Sequence, residues 1–328
     1  MAFLVALFFG FVPMFFFAGI LYWLDRYEKE PLPLLAGVFA WGMIVAAGGA
    51  YVLNTLFGLS VAAITGSDAL SDLTTGSISA PFVEEGLKGL AVLLVFLFFR
   101  WEFDSILDGI VYAGIAALGF AATENSLYIW RGYESGGWAG LMALVGIRVL
   151  LVGWQHPVYT AFTGIGLAIA RNNRSTLLKL LAGFGGWALA MFTHSLHNTL
   201  ASFTSIEDLT CLIGLFLDWM GVAFMFLMIV WANWMERRNI ARHLQPEQAA
   251  GLISAAQYQT ACSAWRQFYA RLAALMSGKY RATNRFYQVV GELAHKKQQL
   301  KAGDESGASL IVEKYRAELA RLAPRAEA

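Results

Sequence analysis

Apolar residues run along this chain in long blocks. Blocks that meet the roughly 20-residue length of a membrane-spanning helix fall at 2–24, 32–56, 78–99, 105–130, 138–170, 177–203 and 209–234. After Trp234 the pattern changes to shorter segments with helical periodicity, such as Ala264 to Met276. The pattern predicts an all-α, polytopic membrane protein. About seven transmembrane helices would occupy residues 1–235, and a cytosolic, basic helical tail domain residues 236–328. The fifth block is long, since 33 residues extend about 50 Å as helix. It is read as one span whose first turns, opening on Trp138, lie in the outer interface.

Composition agrees, with 58% hydrophobic and 14% charged residues. The first block has no basic segment before it and no small-residue cleavage site after it, so it reads as a spanning helix and not a removable signal. Positive charge sets the orientation. Seven spans collect Arg26, Lys29, Arg100, Arg171, Arg174, Lys179, Arg237 and Arg238 on one side and leave only Arg131 on the other. Basic loops stay cytoplasmic, so the N-terminus is expected outside and the C-terminus cytosolic, in a multi-pass protein of the plasma (inner) membrane. The loops at 57–77, 131–137 and 204–208 would then face outward. The tail carries fifteen Lys and Arg against eight Asp and Glu. That excess could attract anionic lipid headgroups, but the simpler reading is a solvated helical hairpin. Cys211 and Cys262 are far apart and imply neither a disulfide framework nor a cysteine zinc site.

Ionisable residues inside spans are costly, so each is a functional hypothesis. Here they are Glu84, Glu85, Lys88, Glu124, Arg148, His156, His194, His197 and Asp218. Counted from the outer ends of their spans, Glu84, Glu85, Glu124, His194 and Asp218 lie in one layer, and His156 joins it if the start of its segment is interfacial. Residues four apart share a helix face, so Lys88 is expected to neutralise Glu84 and leave Glu85 separately aimed, while His194 pairs with Asn198. His197 and an Arg148–Asp218 pair are expected to be scaffold. Two carboxylates and two imidazoles at one level suit the activation of water. The same groups could hold a zinc ion through Glu124, His156 and His194, leaving a position open for water. No His-Glu-x-x-His motif is present.

Several motifs carry a resemblance. Asp25-Arg-Tyr-Glu-Lys-Glu-Pro31, Ala80-Pro-Phe-Val-Glu-Glu-Gly-Leu-Lys88, Asp108-Gly-Ile-Val-Tyr112, Gly119-Phe-Ala-Ala-Thr-Glu-Asn125, His156 and His194-x-x-x-Asn198 resemble the PrsW family of intramembrane proteases over residues 12–205. More distantly the chain is similar to the CAAX-prenyl-protease and bacteriocin-processing superfamily, from which it departs in having Glu124 where that pattern has histidine. The resemblance implies hydrolysis of a peptide bond in a membrane-anchored, anti-sigma-factor-like protein on the outer side. It also implies that Glu84 or Glu85 activates water with Glu124, and that His194 and Asn198 bind the attacked carbonyl or a metal. Whether the enzyme is glutamic or metal-dependent stays open. The partners expected are that substrate and the lipid bilayer, with no nucleic acid; an oligomer is compatible with the sequence.

Two other classes compete. An ion-coupled transporter also buries Glu, His and Arg, but it commonly shows inverted repeats, and none is visible. An inactive receptor or scaffold would not need the intact Glu-Glu, Glu-Asn and His-x-x-x-Asn set.

Overall fold

The computed structural model describes residues 1–203, 209–302 and 308–326; the 204–208 loop, expected to face outward, lies outside the described residues. Every regular element among those residues is a helix. They form two compact units: Met1–Leu24 with Glu30–Ile229, and Asp25–Lys29 with Val230–Ala328.

The first unit is built around α6 (Ile106–Val145). Every residue from Leu107 to Ala122 is buried, because this stretch is rich in glycine and alanine and lets neighbouring backbones come close. A Cβ on Gly119 would stand 2.1 Å from the Phe39 carbonyl oxygen of α2 (Leu32–Ala40). One on Gly109 would stand 2.4 Å from that of Gly164 in α7 (Gln155–Arg171). At its N-terminus Ser105 and Asp108 form a reciprocal capping box, and the Tyr112 hydroxyl donates to the Glu30 carboxylate. Asp108 and Tyr112 of the Asp108-to-Tyr112 motif thus anchor α6.

Against α6 pack α1 (Ala2–Leu24), α2, α3 (Ala47–Thr65), α5 (Ala80–Phe98) and α7, while α8 (Thr176–Ser202) packs on α7 and α5, and α9 (Leu209–Ala249) follows it in the chain. A π-helical turn over Trp41–Ala46 joins α2 to α3, and the short α4 (Asp68–Thr74) leads through a second one, Thr75–Ser79, into α5. Large apolar side chains such as Phe8, Phe15 and Phe16 of α1 and Leu180, Leu181 and Phe184 of α8 are exposed, as lipid-facing side chains are.

Five stretches are long and apolar enough to cross a membrane: Ala2–Leu24, Leu32–Thr65, Ile106–Arg171, Thr176–Ser202 and Leu209–Ala249. Seven such helices are not recovered, for two reasons. The expected 78–99 span is α5, a helix of 19 residues that holds Glu84, Glu85 and Lys88. The expected 105–130 and 138–170 spans belong to one folded stretch, and the reading of 138–170 as a single helix is corrected. Gly137 adopts φ 61°, ψ −147°, a conformation open to glycine, and reverses the chain so that Gly140 packs on the Gly132 carbonyl. The returning arm ends in a π-helical turn, Gly146–Leu151, and the helix restarts only at Gln155, with Pro157 in its first turn.

In the second unit α9 continues from Val230 and is followed by α10 (Ala255–Ala261), α11 (Ala264–Met276), α12 (Tyr280–Ala302) and α13 (Ala308–Leu322). Ile240, Leu244, Phe286, Tyr287, Val290, Leu293 and Leu319 form its core, and Tyr27 from the segment between α1 and α2 is buried among them. The unit therefore takes in Asp25–Lys29 as well as the tail, where a division at residue 235 had been expected.

Candidate active site

Pro81 opens α5, and the first full turn after it presents Glu84 and Glu85 about 100° apart. Both are buried. The expected Lys88–Glu84 pair is present but long, and the expectation that Glu85 is left separately aimed is corrected: the Lys88 Nζ lies 2.6 Å from Glu85 Oε1 and 3.8 Å from Glu84 Oε2. The ammonium also sits 4.4 Å over the Phe120 ring and 3.3 Å from His156 Nδ1, and these neighbours fix its place. Glu85 is further engaged by the Thr160 hydroxyl, which donates to Oε2 at 2.8 Å, and by His194 Nδ1, 2.9 Å from Oε1. Its carboxylate has no free side left for chemistry.

Glu124 is reached by two groups. The Arg148 guanidinium donates to its Oε2 at 2.5 Å, and His156 Nε2 lies 2.9 Å from the same oxygen. Arg148 arrives there because the Gly137 reversal carries the chain back along α6; its Nε also donates to Asn125 at 2.9 Å, and the guanidinium covers the Tyr128 ring at 4.0 Å. The expected Arg148–Asp218 pair is therefore not formed. Asp218 accepts instead from the Tyr159 hydroxyl at 3.3 Å and lies 2.9 Å from His197 Nδ1. The Tyr159 ring stacks on His194, with centroids 5.0 Å apart.

Among the described residues of this unit, Glu84, His156 and His194 bring one donor atom each within 4.8 Å of one another. The carboxylate grouped with the two imidazoles is thus Glu84, where Glu124 had been expected. Two observations fit a divalent cation there. Glu84 Oε2 is buried and has no hydrogen-bond partner, and the Lys88 ammonium 3.8 Å away is drawn more closely to Glu85, a state costly for a carboxylate unless something further that is electropositive faces it. Counted as ionised, three carboxylates (Glu84, Glu85, Glu124) meet two cations (Lys88, Arg148), leaving one negative charge. One carboxylate and two imidazoles are, moreover, an ordinary zinc donor set with a vacant fourth position. The Glu85 contact to His194 Nδ1, with Nε2 3.9 Å from Glu84 Oε2, is the carboxylate support that metal-binding histidines commonly have.

A cavity of about 950 Å³ opens onto this layer and is lined by Glu84, Glu124, Arg148, His156 and His194, but not by Glu85 or Lys88. Asn198 also lines it, yet its amide donates to the Gly76 carbonyl at 2.9 Å. With the Ser195 hydroxyl on the Ser77 carbonyl at 2.5 Å, it ties α8 to the turn before α5. Sequence reasoning missed Gln155. It too lines the cavity, and neither polar atom of its buried amide has a partner. Its place beside His156 was the only available signal.

A family model described as "PrsW family intramembrane metalloprotease" matches residues 30–232, more than half of the chain. Three curated proteins, each called Protease PrsW, are similar to it. The one from Geobacillus kaustophilus is 32% identical over 105 residues, 32% of this chain and 43% of that protein. The one from Bacillus subtilis is 31% identical over 120 residues, 37% of this chain and 51% of that protein. The one from Clostridioides difficile is 36% identical over 107 residues, 32% of this chain and 42% of that protein. The chain therefore matches about half the length of these relatives. No solved structure matches.

Proposed function

The chain belongs to the PrsW family of intramembrane metalloproteases, and on that premise we propose that it hydrolyses a peptide bond in a membrane-anchored protein, with Glu84, His156 and His194 holding a zinc ion. The buried Oε2 of Glu84, which accepts no hydrogen bond and is grouped with two imidazoles, is the observation that supports this reading most. When bound, the ion would polarise the attacked carbonyl and make a bound water acidic.

The chain's own residues do the rest. Glu124 borders the cavity beside the donor set, 2.9 Å from His156 Nε2, without belonging to it, so it is the general base that takes the proton of the attacking water. Arg148 fixes its orientation through Oε2. Glu85, held by Lys88 and Thr160, orients His194 and does not touch the substrate. Gln155 supplies an amide donor and an acceptor to the substrate backbone, which an extended peptide needs once it has left water. The orientation assigned by loop charge, N-terminus outside and tail cytosolic in the plasma membrane, puts the cavity toward the outer face. The substrate class that the family resemblance implies is an anti-sigma-factor-like protein.

Purified protein reconstituted with a single-span reporter substrate tests this. Cleavage is expected to stop with a chelator and to return with zinc. Glu84→Gln is expected to lose both metal and cleavage, and Glu124→Gln to lose cleavage while retaining metal. Full cleavage by metal-free protein would overturn the metal reading.

A further inference from the structure

α11 has two unlike faces. Gln267, Ala270 and Ala274 are buried toward the rest of its unit, while Trp265, Phe268, Tyr269, Leu272, Leu275 and Met276 are exposed. Their spacing of three, four and seven places them on one side of the helix. The exposure is substantial, 63% for Leu275 and 87% for Met276. A contiguous stripe of this kind is unusual on a surface that meets only water. The charge pattern around it is equally one-sided. Between Glu247 and Glu292 the chain has no acidic residue, while Arg266, Arg271, Lys279, Arg281 and Arg285 fall in that interval; Arg285 is ion-paired with Glu292 at 2.7 Å and with Glu318 at 2.8 Å and so does not count toward the charge that faces lipid. The Arg26 guanidinium, from the segment between α1 and α2, lies 5.0 Å over the Trp265 ring.

We propose that α11 is an interfacial helix that lays its aromatic and aliphatic stripe into the membrane surface and sets its basic residues against anionic lipid headgroups. An amphipathic helix with Trp, Phe and Leu on one face and Arg and Lys around it is built for the boundary between headgroups and acyl chains. No carboxylate on α11 itself adds repulsion from an anionic surface. Connectivity supplies the proximity. The unit that carries α11 is continuous with α1 at Leu24, with α2 through Pro31 and with α9 past Ile229, so the chain passes three times between this unit and the apolar helices. A lipid surface is favoured over a protein partner because the stripe joins bulky aromatics to a stretch of chain with an excess of basic over acidic residues, which anionic lipid matches without a specific shape. The inference uses none of the protease chemistry and fails or stands independently of it.

The test uses the full chain with Cys211→Ala and Cys262→Ala, single copies in nanodiscs, and a nitroxide at Tyr269→Cys or Leu275→Cys. Leu310→Cys, an exposed leucine on α13, serves as control. In phosphatidylglycerol–phosphatidylcholine discs the two α11 labels are expected to collide about tenfold less with an aqueous nickel chelate than the control does, and more with oxygen. In phosphatidylcholine alone, or with Arg266→Glu and Arg281→Glu together, that protection should shrink. Labels as open to the aqueous reagent as the control in anionic discs would overturn the proposal. So would protection seen only in native membranes, which identifies a protein partner, or only with two copies per disc, which identifies a second chain.

Discussion

Glu247 in the tail unit and Glu84 in the membrane unit are both buried glutamates on helices, and they are treated oppositely. Glu247 has both oxygens taken, Oε2 by Lys297 at 2.5 Å and Oε1 by Arg316 at 3.0 Å. Glu84 has Lys88 at 3.8 Å as its nearest cation and an Oε2 that accepts nothing. A fold that closes one carboxylate so fully and leaves another open beside two imidazoles separates a structural burial from a working one. The energetic signatures of the two should differ in kind.

The largest effects come from exchanging those roles. Glu84→Gln is expected to lower cleavage by more than about 100-fold, since it strips a ligand and not merely a ligand's support, while the melting temperature changes little. Glu247→Gln is expected to do the reverse. It strands the buried Lys297, while the partly exposed Arg316 keeps Glu313, and should cost about 3 kcal/mol of stability, with cleavage per folded molecule unchanged. Thermal denaturation in detergent alongside the reporter assay separates the two, and equal stability losses would erase the contrast.

Glu85→Gln comes next, with zinc affinity falling about 10–100-fold as the support for His194 is lost. Competition with a fluorescent chelator measures it, and unchanged affinity would show that the His194 contact is scaffold. Arg148→Met should cut cleavage by about tenfold or more by freeing the base from its hydrogen bond, with metal content intact. The smallest change is expected of Gln155→Ala, about tenfold in kcat/KM from one lost backbone hydrogen bond. A shift confined to stability would reassign that amide.

Much of this contrast was legible in the sequence. Apolar blocks gave the all-helical membrane character, and the rule that spans avoid charge singled out Glu84, Glu85, Glu124, His156 and His194. The family resemblance is borne out by the match over residues 30–232. Partner choice was not legible. Lys88 can reach Glu84 or Glu85 with equal ease by helix spacing alone, and only the Phe120 ring and His156, from other helices, decide between them. Arg148 looked free to meet Asp218 because depth was counted along a straight helix. Gly137 folds that helix back on itself, and no periodicity reports a single residue's left-handed φ. Tyr27 was hidden for a related reason, since a buried tyrosine in a short charged loop finds its core more than two hundred residues later in the chain.

Zinc K-edge X-ray absorption on the purified protein bears most directly on the central claim. The account predicts a first shell of nitrogen and oxygen only, at about 2.0–2.2 Å, with the outer-shell scattering of two imidazoles, retained in Glu124→Gln and lost in Glu84→Gln. A sulfur-containing shell, or a spectrum that Glu84→Gln leaves unchanged, would contradict it.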